Sequence, residues 1–210
     1  MPLNEDQRFW MIDEPARFIR ADRTCIDGRI RFGFPMQLGP NVRSGNYESI
    51  CRVYAEEVAE GAGSHHGSST LGALLSAFSY LETEIKGYIS KGGAVLLAED
   101  LSNEKSVGNI RSESEESHIY EWIIVRDKDG LETLTEIRVL CIPREGDVMC
   151  CFDIPGVVPK VVAYQASFLR CFVQMKQLLR DALAIIIAQG NEILNEDGNE
   201  AYNVVKLLRE

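Results

Sequence analysis

Three histidines and six cysteines are the side chains of this 210-residue chain best suited to act as base, nucleophile or metal ligand. Cys25, Cys51, Cys141, Cys150, Cys151 and Cys171 show no C-x-x-C spacing and have no paired histidines among them, so their pattern spells no zinc site. Thiols without such a framework read as reduced residues of a reducing compartment, most of them small members of a core. His65 and His66 are adjacent in the small polar stretch Gly61 to Ser69, where neighbouring side chains point apart and a metal or acid–base role needs further converging groups. His118 lies near the hairpin that carries Cys141 and Cys150, and a Cys–His pair would need those groups to meet in one cleft. The Gly61 to Ser69 stretch could cradle phosphate where backbone N–H groups converge at a helix start, but no Lys follows it, and a flexible connection is the simpler reading. The chain has no G-x-x-x-x-G-K-[ST], G-x-G-x-x-G, H-E-x-x-H or G-x-S-x-G. The residues therefore nominate no catalytic, cofactor-binding or metal-binding set, and a binding or assembly role is expected over catalysis.

The elements that would position these residues follow from periodicity. Thr24 to Phe34 alternates as a half-buried strand. Tyr47, Ile50, Val53 or Tyr54, and Val58 are spaced as the apolar stripe of a helix over 47–60, and Leu74, Leu75, Phe78, Leu81 and Ile85 as that of a second helix over 71–89. A strand is expected over 94–98, then an acidic, Ser-rich loop over 99–117. His118 to Arg126 and Leu131 to Ile142 flank Asp129-Gly130, a hairpin signal, and Val148 to Phe152 adds a third antiparallel strand. A long helix is expected over 161–189, with Phe168, Phe172, Met175, Leu179 and Ile186 on its apolar face, and a short one over 201–208. Strands segregated from helices predict an α+β fold: an antiparallel meander sheet packed against two central helices and a long C-terminal helix. The expected organisation is a flexible arm over 1–22, a single domain over 23–190 and a helical tail over 191–210, with no internal repeat.

Charge is uneven. The chain carries 22 Lys and Arg against 32 Asp and Glu, a net charge of −10. Between Pro15 and Tyr47, however, Arg17, Arg20, Arg23, Arg29, Arg31 and Arg43 stand against Asp22 and Asp27, a local excess of about +4 that could meet phosphate or anionic lipid. Trp10 in the arm is a candidate anchor for a partner groove, with packing within its own chain the equal alternative. The N-terminus lacks the basic and apolar regions of a signal peptide, and no apolar run is long enough to cross a bilayer, so any membrane contact is expected to be peripheral.

Cys25-Ile26-Asp27-Gly28-Arg29-Ile30-Arg31-Phe32, the polar stretch Gly61 to Gly67, Ile119-Tyr120-Glu121-Trp122, Ile137-Arg138-Val139-Leu140 and Glu145-Gly146-Asp147-Val148-Met149-Cys150 together resemble the rhabdovirus matrix proteins in the order strand, helix, loop, helix, strand, hairpin. The resemblance implies a viral matrix-type structural protein that self-associates and bridges the nucleocapsid and the inner face of a membrane, in the host cytoplasm and the virion. It implies Phe9, Trp10 and Met11 as self-association residues, and Arg17, Arg20, Arg23, Arg29, Arg31 and Arg43 as the lipid or nucleocapsid contact. The implied partners are further copies of the chain, the nucleocapsid and possibly a peripheral membrane surface, with no cofactor. Unlike that family this chain is acidic. Two other readings fit the same elements: a helix-grip-like ligand-binding module, in which the 161–189 helix closes a cavity, and an acidic dimeric chaperone or adaptor with an exposed apolar surface.

Overall fold

The computed structural model describes residues 10–40, 47–97, 119–144, 147–195 and 197–209. Strands take up 49% of the described residues and helices 30%; these residues form two antiparallel sheets and three helices, which overturns the expected arrangement of one meander on two central helices and a C-terminal helix. The chain builds the same unit twice. In the first half, β1 (Trp10–Ile19), β2 (Cys25–Gly33), β3 (Met36–Pro40), β4 (Tyr47–Ala55) and β5 (Ala59–Gly67) precede α1 (Thr70–Ser90) and β6 (Ala94–Leu97). In the second, β7 (Ile119–Arg126), β8 (Glu132–Arg144), β9 (Asp147–Ile154) and β10 (Val158–Gln165) precede α2 (Phe168–Ala188) and β11 (Glu192–Leu194); α3 (Tyr202–Arg209) follows.

Each half is a meander whose first strand also receives the short strand that follows the helix: β6 on Ala16–Ile19 of β1, β11 on Ile124–Arg126 of β7. β2 and β3 pair with successive stretches of β4 and so act as one bent strand, the counterpart of the longer β8. The turns match atom for atom. Arg20 N donates to Thr24 O at 2.9 Å and Arg23 N to Arg20 O at 2.8 Å; Asp127 N donates to Leu131 O at 3.0 Å and Gly130 N to Asp127 O at 3.0 Å. The left-handed position is Arg23 (φ 67°) in one turn and Gly130 (φ 82°) in the other. The next hairpin repeats the device with Glu57 (φ 64°) and Gly156 (φ 77°). A left-handed backbone is strained for a residue with a Cβ, and Glu57 is tethered there by Arg20, whose Nε and Nη2 donate to its carboxylate at 2.7 and 2.8 Å.

The helices are built alike as well. Both have 21 residues and start on a serine whose hydroxyl accepts a first-turn backbone N–H, Gly72 N to Ser69 and Arg170 N to Ser167. Both are followed by a left-handed glycine, Gly92 (φ 90°) and Gly190 (φ 88°). The internal repeat that sequence reading did not detect is thus explicit in the backbone.

Two expected helices are corrected. Residues 47–60 form β4, its turn and the start of β5, because Cys51, Val53 and Ala55 alternate into the core at 0% exposure. The long helix begins at Phe168 rather than 161, since 158–165 is the strand β10, paired to β9. Trp10–Ile19 is a strand joined to β2 in the sheet rather than a separate segment.

The inner faces of both sheets and the apolar faces of α1 and α2 merge in one core cluster. Its centre is aromatic. Phe78 of α1 lies 5.9 Å from Phe32 of β2 and 4.7 Å from Phe172 of α2, while Phe168 lies 5.6 Å from each of Phe32 and Phe172. Burying a side chain of this size contributes roughly 1.5–3 kcal/mol, so these four residues weld the halves together.

Candidate functional site: the outer face of the second sheet

Because the halves share a register, their outer faces can be compared pair by pair. On the first sheet the cross-strand pair Arg17↔Asp27 is a salt bridge; its equivalent on the second sheet is Ile124↔Leu134. Pro15↔Arg29 corresponds to Trp122↔Glu136, and Asp13↔Arg31 to Tyr120↔Arg138. On the following strands Arg52↔Ser64 corresponds to Cys151↔Val162, and Ile50↔His66 to Met149↔Tyr164. Over the same backbone, the charged pair Arg17↔Asp27 and Arg52 of the first outer face give way to Ile124↔Leu134 and Cys151 on the second, which adds Trp122 and keeps charge at Glu136 and Arg138. Charge-to-apolar replacement on a solvent-facing side is opposite to what solubility alone favours.

Trp122, Leu134 and Tyr164 are 40%, 62% and 48% exposed. The Tyr120 and Trp122 rings meet edge-on at 6.3 Å. Met149 and Cys151, on the interior strand β9, are buried yet lie outside the main core cluster, so a small apolar layer sits on this side of the sheet. Its charges are paired around it. Arg126 donates to Glu132 at 2.7 Å and to Glu192 at 2.8 Å, and Arg138 reaches Glu136 and Asp153, each at 3.2 Å.

The basic island is placed differently. Arg17 pairs with Asp27, Arg20 with Glu57, and Arg29 and Arg31 share Asp13, with the Arg31 guanidinium 5.8 Å from the Tyr54 ring centre. Four of the six arginines nominated from sequence therefore carry a carboxylate partner within the chain. Arg23 is in the first turn, and Arg43 is outside the described residues. Of the nominated self-association residues, Met11 is buried in the chain's own core, Trp10 is half-buried in β1, and Phe9 is outside the described residues.

The titratable groups serve the fold. Glu14 and Glu121 occupy equivalent inward positions, opposite Ile30 and Ile137. Each reaches the helix start of the other half: Leu169 N donates to Glu14 Oε2 at 3.4 Å, and Ser69 Oγ to Glu121 Oε2 at 3.5 Å. A carboxylate is favourable beside a helix N-terminus. Glu121 is only 7% exposed, and burial pushes its carboxyl up to about 7 against the lowering effect of hydrogen bonds from Asn203 and Ser69. Sequence reading missed this pair because each Glu lies within a strand and belongs to no motif.

His65 stacks on Tyr80 with ring centres 4.4 Å apart, and burial, then the charge of His66, hold its pKa below the ordinary value. His66 Nδ1 meets Glu48 at 2.6 Å across the first sheet. The 61–67 stretch belongs to strand β5 rather than to the flexible connection expected there, and its last residue packs against α1: a Cβ on Gly67 would come 2.3 Å from Ala73 N. His118 is outside the described residues. Among the described residues no group of three or more His, Cys, Asp or Glu could hold a metal ion, and no helix is long and apolar enough to cross a membrane. The face of α2 that a helix-grip cavity would use is filled: Phe168, Phe172, Met175, Leu179 and Leu183 are at most 1% exposed.

Compared with known proteins, the chain matches no family model, no curated protein and no solved structure.

Proposed function

We propose that this chain is a non-catalytic assembly protein that associates with a second copy of itself through the outer face of its second sheet. The observation that carries the reading is the pairwise contrast between the two outer faces, Arg17↔Asp27 against Ile124↔Leu134 above all. Charge identifies the occupant. A chain of net charge −10 repels its own copies over most of its surface. The second sheet's outer face carries Arg126, Arg138 and Lys160 against Glu132, Glu136, Asp153 and Glu192, a balance of −1, and its mixed signs can complement themselves under a two-fold rotation. Size agrees. Four strands of at least eight residues cover on the order of 500 Å² by ordinary strand geometry. Two such faces stacked about 10 Å apart bury roughly the 1,000 Å² that a specific interface requires.

This reading keeps the self-association that the matrix resemblance implies and not its membrane or nucleocapsid contact. That resemblance needs a helix after the first strand, where the chain has β3, β4 and β5. The nominated arginines, moreover, are largely spent on internal ion pairs.

Sedimentation velocity over a concentration series tests the proposal. The wild-type chain is expected to pass from monomer to dimer, with Trp122 emission shifting to the blue, and Leu134→Arg to remain monomeric with an unchanged far-UV spectrum. A wild-type chain that stays monomeric at millimolar concentration overturns it. So does a monomer whose Trp122 is already shielded from iodide, since another segment of the chain would then occupy the face.

A further inference from the structure

Three of the six cysteines meet on the inner side of the second sheet. Cys141 and Cys150 are directly opposite each other on β8 and β9, and their sulfurs are 3.1 Å apart. Cys150 is fully buried and Cys141 only partly buried at the edge of the core, and no disulfide joins any of the six cysteines. Cys171 on α2 is held from behind: it accepts from Cys150 N at 3.1 Å and donates toward Val148 O and Ala163 O at 3.1 and 3.3 Å. Cys151, the next residue, belongs to the other side of the sheet, opposite Leu140.

The geometry points to Cys141 and Cys150 as a reversible oxidation site that closes to an intrachain disulfide when the chain meets a peroxide. Residues directly opposite on antiparallel strands have Cα atoms about 4.5–5.5 Å apart, inside the roughly 4.4–6.8 Å range that a disulfide spans, so the backbone need not move to form the bond. The roles follow from access. Cys141 is the more accessible thiol of the pair, while hydrogen bonding to Cys141 and Cys171, and then burial, drive the Cys150 pKa upward and keep it protonated, and so unreactive toward peroxide. The Cys141 thiolate attacks one peroxide oxygen; an S–O bond forms, the O–O bond breaks, and hydroxide leaves to become water. The Cys150 sulfur then attacks the Cys141 sulfenic acid. The S–S bond forms, the S–O bond breaks, and the departing hydroxide takes the Cys150 proton as a second water. Two thiols and one peroxide become one disulfide and two waters. The bond ties together the neighbouring interior strands β8 and β9 of the second sheet, next to Ile142 and Met149 on its outer face.

The test uses the full chain carrying Cys25→Ser, which removes the exposed thiol and leaves five. After hydrogen peroxide treatment, unreacted thiols are alkylated in denaturant and counted by intact mass. Two of the five are expected to be lost, and to return with a thiol reductant. Trypsin places Cys141 in the peptide 139–144 and Cys150 with Cys151 in 145–160, so a cross-link between those peptides, resolved by fragmentation between 150 and 151, identifies the pair. Adding Cys141→Ser should abolish the loss, and Cys151→Ser should leave it intact. Five alkylated thiols after peroxide, or a cross-link through Cys151 or Cys171, overturns the assignment.

Discussion

Replacing Glu121 by glutamine should make the protein more stable above neutral pH and leave it nearly unchanged in acid. Glu121 is 7% exposed, faces Ser69 and Asn203, and has its pKa raised from 4.5 to about 7 by burial. In the folded chain the carboxylate is therefore the disfavoured form. The stability of the protonated joint is fully present below the ordinary carboxyl range near 4.5, falls as pH rises toward 7, and is gone above it. At about 1.4 kcal/mol for each tenfold change in proton affinity, the wild-type chain loses about 3 kcal/mol over that window through this residue alone. An amide keeps an acceptor for Ser69 and cannot ionise. In urea titrations at pH 5, 6, 7 and 8, the wild-type and Glu121→Gln midpoints should nearly coincide at pH 5. They should separate as pH rises to about 7 and stay about 1–2 M apart at pH 8, taking a slope of roughly 2 kcal/mol per molar. Other carboxylates contribute their own slopes, but these cancel in the difference between the two proteins. A difference that is the same at pH 5 and pH 8 refutes the reasoning.

Phe78→Ala should cost about 3–5 kcal/mol, because the ring is 1% exposed and bridges Phe32 of one half and Phe172 of the other; thermal unfolding should show one transition at a lower midpoint. Gly67→Ala should destabilise by more than about 2 kcal/mol, since its Cβ would meet the α1 backbone at Ala73 N, while Gly39→Ala, with nothing within 4 Å, should stay within about 0.5 kcal/mol; urea midpoints of the two variants give the comparison.

Some of this structure was legible in the sequence. Asp129-Gly130 announced its hairpin, and the apolar stripe from Leu74 to Leu81 announced α1, because each signal is local and strong. The segment 47–60 misled because Tyr47, Ile50, Val53 and Val58 fit a helical spacing, while the true alternation Ser49, Cys51, Val53, Ala55 is made of small or polar residues. β10 was absorbed into the helix after it because Val161 and Val162 extend its apolar run; the Ser167 cap was the overlooked stop signal. The Gly-rich stretch 61–67 read as a loop, although Gly67 is needed for the close approach of α1. The candidate site was the least legible part. Trp122 and Leu134 alternate with buried residues, and only the sheet shows which set faces out.

The repeat explains why the outer faces hold the functional information. Glu14 and Glu121, Ile30 and Ile137, and Ser69 and Ser167 match across the halves because each answers a demand of the fold: a helix start to be met, a core position to be filled, a cap to be supplied. The spacing between equivalents is 107 residues before β4, as in Glu14 to Glu121, falls to 99 at Glu57 and Gly156 because the β2–β3 bend and its connection outrun β8, and reaches 98 after the register shift that follows, as in Ser69 to Ser167. That shift hides the repeat from a search at fixed period. No such demand acts on the solvent side. A stable sheet tolerates either Arg17↔Asp27 or Ile124↔Leu134 there, and the charged pair is the safer choice against association. A difference that folding does not require and solubility disfavours calls for another cause, and contact with a second molecule supplies one.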